Sequence, residues 1–136
     1  MAHAPSETPE HLPLGPYTRE FGRAAAGAIM WAPDRPTAIL AGSDYLAIGV
    51  LETLGKFGVS VPDDMSLIGF DDMPFADLIA PGLTTIRQPI AAMGRLAFKT
   101  LLALMNHEQP QMLTRLPVEL VDRKSVATPR KGPLKS

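Results

Sequence analysis

Asp71 and Asp72 are the residues of this sequence best placed to do chemistry. They follow Met65 to Phe70, a short, almost wholly apolar run that Pro62-Asp63-Asp64 precedes. Apolar residues with no alternation suit a strand buried on both faces in a parallel sheet. Gly69 inside the run lets a neighbouring element come close. In open α/β sheets ligands sit beyond the carboxyl ends of strands, so Asp71 is the leading candidate for a ligand contact. The competing role is local, with both carboxylates ending the strand and bonding the next turn.

Other chemistries find less support. The chain has no cysteine, which excludes disulfides, zinc-thiolate sites and thiol nucleophiles. His3, His11 and His107 are too scattered for a metal site or a serine triad. The glycines Gly22, Gly27, Gly42, Gly49, Gly55 and Gly58 make neither phosphate-loop nor dinucleotide spacing. Adjacent strand-end carboxylates point in different directions and make a poor acid–base pair. A phosphate-accepting receiver domain would need an acidic pair on its first strand, whereas this pair comes late. No enzyme activity, cofactor or metal is expected.

Composition sets the frame. At 136 residues, 46% hydrophobic and 20% charged, the chain suits one globular domain or part of one. A net charge of −1 gives no global pull towards nucleic acid or acidic membranes. No apolar run is long enough to span a bilayer, and residues 1–7 lack the basic-then-apolar pattern of a secretory signal. The expectation is cytoplasmic residence, with no membrane partner.

The elements that must position Asp71 can be read in order. Residues 1–16, with four prolines, read as an extended or disordered lead-in in which Leu12 and Leu14 suit a short edge strand. Thr18 can cap a helix to about Trp31. Residues 36–41 form a strand, and Ser43 or Asp44 can cap a helix over about 45–57 with Gly58 as its left-handed stop. The 65–70 strand follows, then a loop to Gly82 and a strand over 83–87. Pro89 opens a helix to about Asn106 with apolar positions Ile90, Met93, Ala97, Leu101 and Leu104. Residues 116–120 alternate as a last strand, near an edge because of Pro117. Residues 124–136 read as a frayed basic tail that is solvated, with no recognition helix for nucleic acid. This alternation predicts an α/β fold, a largely parallel sheet with helices on both faces.

Several strings then carry a family resemblance. Pro36-Thr-Ala-Ile-Leu-Ala-Gly-Ser-Asp44, Ala47-Ile-Gly49, Gly58 through Asp72, Pro81-Gly-Leu-Thr-Thr-Ile-Arg-Gln-Pro89, Met93-Gly94 and Leu116 through Arg123 stand in order with the right gaps. Together they closely resemble the C-terminal part of the LacI/GalR bacterial transcription regulators, over about residues 15–128. They favour the regulators over the secreted sugar-binding proteins, although half of such a solute-binding protein is the alternative reading.

The resemblance implies the C-terminal subdomain of a type I periplasmic-binding-protein-like fold over residues 17–123. A small effector, a sugar or nucleobase derivative, would lie between two subdomains. Carried over by position, Asp71 would bind ligand hydroxyls, Ser43 would stand where asparagine often reaches into the cleft, Tyr17 would hold an aromatic or polar cleft position, and Gln88 would lie near the cleft floor. Each has a plain alternative: Ser43 as a helix cap, Tyr17 as a surface residue, Gln88 as a partner of helix amides. The resemblance also places a homodimer contact on Ile48 and Leu51 and on Leu78, Ile79 and Pro81, with core packing as the alternative. The helix-turn-helix, hinge and N-terminal subdomain of such regulators have no counterpart in these residues. DNA would therefore be bound only through a domain absent from this chain, and effector affinity is expected to be weak.

Overall fold

The computed structural model describes residues 14–111 and 113–129. Its elements are α1 (Arg19–Trp31), β1 (Ala38–Leu40), α2 (Asp44–Lys56), β2 (Ser66–Phe70), β3 (Thr84–Arg87), α3 (Ile90–Met105) and β4 (Glu119–Val121). The order matches the expectation. The strands are shorter than predicted at β1 and β4, and Pro117 falls before β4. The Leu12 part of the suggested edge strand lies outside the described residues, and Leu14 is exposed with no regular structure.

Local chemistry accounts for the helix starts. Thr18 is extended and its hydroxyl accepts from the Phe21 amide, which supplies a partner to one otherwise unbonded helix donor. Ser43 does the same for the Leu46 amide. Pro89 occupies the cap of α3 itself, one residue earlier than expected, and no side chain caps that helix. Gly58 has φ +69 after α2, a conformation open to a residue without Cβ.

The four strands lie in the order β1-β2-β3-β4. β1 runs parallel to β2, pairing Ile39 with Leu67, and β2 runs parallel to β3, pairing Gly69 with Thr85. β4 is antiparallel to β3, pairing Ile86 with Leu120. The sheet is therefore largely parallel, as predicted.

The core lies on one side of this sheet. Ala47, Val50 and Leu54 of α2 meet Met65, Leu67 and Leu83, while Ala26 and Met30 of α1 close the far side. The two helices approach closely because two glycines permit it. A Cβ on Gly49 would stand 2.1 Å from the Arg19 carbonyl oxygen, and one on Gly22 would stand 2.3 Å from that of Leu46. Glu52 of α2 also ion-pairs with Arg19 and Arg23 of α1.

Two expectations are corrected. Helices do not cover both faces: α3 has no buried residue and lays no extended contact on the sheet or the other helices. Its periodic apolar residues are exposed, because periodicity defines a face without supplying anything to cover it. The supposed basic tail is also not free along its whole length. Ser125 is fully buried, and its hydroxyl donates to the Leu67 carbonyl at 2.5 Å and accepts from the Thr84 amide at 2.8 Å. The Ser66 hydroxyl and Ala127 backbone bond each other at 3.1 Å. Residues 124–127 thus stitch the entries of β2 and β3. Residues 130–136, with most of the basic charge, lie outside the described residues.

Candidate functional site

β2 ends in an unusual backbone. Asp71 has φ 109 and Asp72 has φ 53, both positive in residues other than glycine. Such conformations persist where surrounding bonds over-determine them, and they gather at functional sites. The Asp71 amide donates to the Ile86 carbonyl at 2.9 Å, which ties the turn to β3.

The Asp71 side chain is half-buried. One carboxylate oxygen accepts from Gln88 Nε2 at 2.6 Å. The other has no bonding partner among the described residues, so it can accept from a guest hydroxyl. The structure therefore brings together two of the four ligand candidates at the carboxyl end of the sheet. Gln88 holds Asp71 and does not bond the amides that open α3.

Ser43 and Tyr17 are placed differently. Ser43 is buried, and its hydroxyl serves as the cap of α2. Tyr17 is 70% exposed, and its ring lies against Gly42, beside Ser43. Tyr45 of α2 packs edge-on to Phe75 with ring centres 5.1 Å apart, which fixes the loop after the Asp pair.

Asp72 belongs to an ion-pair cluster. Its carboxylate accepts from Arg87 Nε at 2.6 Å and from an Arg123 terminal nitrogen at 2.7 Å, with only 10% of the side chain exposed. Burial pushes its pKa up, but the Arg123 and Arg87 guanidiniums outweigh that and hold the carboxyl below the ordinary carboxylate range. Arg123 also donates to the Leu83 carbonyl at 2.8 Å, so the cluster joins the turn to both sides of β3.

Sequence reasoning missed a fully buried carboxylate. Asp44, the first residue of α2, is fully buried. It accepts from the Thr85 hydroxyl and from the Met73 amide, each at 2.7 Å. Gly69 leaves room for it, since a Cβ there would stand 2.2 Å from an Asp44 oxygen. One signal was present: Ser43 and Asp44 are both capping types, and a helix start needs only one.

The proposed dimer residues divide. Leu51 and Ile79 pack against the core, Ile48 and Pro81 are half-buried, and Leu78 is 80% exposed. Two grooves open on the surface: one is lined by Asp77, Ile79, Ala80, Pro81, Gly82, Arg123 and Lys124, the other by α3 with Gln111, Thr114 and Leu116. Neither includes Asp71. No group of three histidine, cysteine or acidic side chains able to hold a metal occurs among the described residues, nor a helix long and apolar enough to cross a membrane.

Comparison with known proteins adds to this geometry. Residues 3–126 match the periplasmic binding protein-like domain model, a match that starts upstream of the motifs quoted above. The HTH-type transcriptional repressor PurR of Escherichia coli O139:H28 is 38% identical over 130 residues, which are 93% of this chain and 38% of that protein. A LacI family transcriptional regulator from Enterococcus faecium, solved with bound ribose, superposes with a TM-score of 0.72 at 34% identity, covering 84% of this chain and 42% of that one. Another from Lactobacillus casei, solved with bound sucrose, gives 0.66 at 36% identity, covering 80% and 41%. The chain thus spans about two-fifths of the length of these relatives.

Proposed function

Because the chain belongs to the periplasmic binding protein-like domain family, in the form carried by LacI-type regulators, we propose that it is the effector-sensing portion of a transcriptional repressor and has no catalytic role of its own. The effector is a small hydroxyl-rich molecule, a sugar before a nucleobase derivative. The supporting observation is the Asp71 carboxylate, held at the end of β2 with one oxygen on Gln88 and the other open. A carboxylate accepts from vicinal hydroxyls, and charge-assisted hydrogen bonds of this kind are the stronger ones. Tyr17 offers an aromatic face near the start of α2 for the apolar side of a sugar ring. Ser43 plays a smaller part, since its hydroxyl already caps a helix.

The mechanism is a population shift. Effector bound at Asp71 favours one arrangement of this portion against the rest of the regulator, and a homodimer passes that preference to DNA-binding segments elsewhere in the protein. In this reading Leu78 and Ile48 contribute contacts between copies, and Leu51, Ile79 and Pro81 support them from behind. Such a regulator works in the cytoplasm.

Ribose and sucrose titrated separately into the chain, followed through the amide resonances of Asp71, Asp72 and Gln88, test the reading. At least one sugar is expected to shift these resonances. Asp71→Asn should weaken that binding at least tenfold, about 1.4 kcal/mol, with the unfolding midpoint unchanged. Failure of both sugars to perturb these amides, or equal binding by the variant, would remove the reading.

A further inference from the structure

The three elements that carry the ligand candidates are cross-linked beneath the site. Asp44 opens α2 directly after Ser43, and one of its oxygens takes the Met73 amide just beyond Asp71 and Asp72. Its other oxygen takes the hydroxyl of Thr85, three residues before Gln88 on β3. Thr85 Oγ1 accepts in turn from the Asp72 amide at 3.3 Å. Both side chains are fully buried.

Stability alone explains this arrangement poorly. A buried carboxylate without a salt bridge among the described residues carries a desolvation cost that two neutral donors and a helix N-terminus offset only in part. Well-packed apolar residues often replace a whole buried ion pair at no loss of stability. What they cannot do is accept two hydrogen bonds in fixed directions. The positive φ angles of Asp71 and Asp72 need such fixed partners, because an unheld turn relaxes to ordinary backbone.

We infer that Asp44 and Thr85 are positioning residues, a buried two-residue brace that holds the start of α2, the turn after β2 and strand β3 in one register. Asp71 and Gln88 thereby face the same guest. The effect on ligand rests on the proposed sensing function; the effect on the turn does not.

The test uses Asp44→Asn, which keeps shape but removes an acceptor, together with Thr85→Val and Thr85→Ser in the full chain. Amide hydrogen exchange is measured at Asp72 and Met73 relative to Leu54 in the core of α2. Asp44→Asn and Thr85→Val should raise exchange at the two turn amides at least tenfold while Leu54 is unchanged, and Thr85→Ser should restore the slow rate. Ribose and sucrose titrations should then show at least tenfold weaker binding for the first two variants and recovery in the third. Unchanged turn protection in both Asp44→Asn and Thr85→Val overturns the brace, as does a uniform loss that includes Leu54 in both. Should neither sugar bind the parent chain, the sensing reading fails while the exchange ratio still decides the brace.

Discussion

Helices α2 and α3 are both rich in leucine and other apolar residues at helical spacing, yet their surroundings are opposite. In α2 six residues are buried, between α1 on one side and β2 on the other. In α3 none is, and Phe98, Leu101, Leu102 and Met105 stand open. The difference lies in what each face meets. For α2, glycines at 22 and 49 allow a second helix to close to backbone contact. α3 has an equivalent glycine at 94, but nothing stands within 4 Å of the Cβ it lacks. An apolar stripe contributes stability only where it is removed from water.

Core truncation should give the largest contrast. Leu54→Ala is expected to cost about 2–5 kcal/mol, the usual range for a buried leucine. Leu101→Ala, on an open face, should stay within about 0.5 kcal/mol. Denaturant midpoints of the two variants measure this, and equal losses would mean that α3 is packed in solution and that the two helices do not differ.

Alanine at Gly49 and at Gly94 gives the next contrast in size. Gly49→Ala must push the Arg19 carbonyl away, which should cost roughly 1–3 kcal/mol through overpacking. Gly94→Ala meets no neighbour and should gain about 0.5–1 kcal/mol from restricted backbone freedom. Opposite signs in thermal unfolding are the expected outcome; a loss at both positions would show that something closes on α3.

The smallest effect concerns the junction between the two regions, where Arg123 and Arg87 hold Asp72. Its folded pKa is depressed, so its contribution is fully present above the unfolded value of about 3.9 and is lost as pH falls through the lower folded value. The difference in unfolding midpoint between the parent and Asp72→Asn should therefore be constant from about pH 7 to 5 and shrink below about 4. A difference that grew in acid would contradict the ion-pair account.

The secondary-structure elements were legible along the chain, because their signals are local. The Thr18 and Ser43 caps, the stop at Gly58 and the unbroken apolar run before Asp71 depend on neighbours within a few residues. The resemblance carried by those strings also pointed to Asp71 and Gln88, which the fold brings together. Other features depend on residues that meet only in the folded chain. Asp44 and Thr85 are 41 residues apart and Ser125 and Leu67 are 58 apart, so no local pattern reveals that a second capping residue turns inward or that an expected tail closes the sheet. The exposure of α3 was hidden for the same reason: spacing along a chain says which residues share a face, and only the folded neighbours say whether water reaches it.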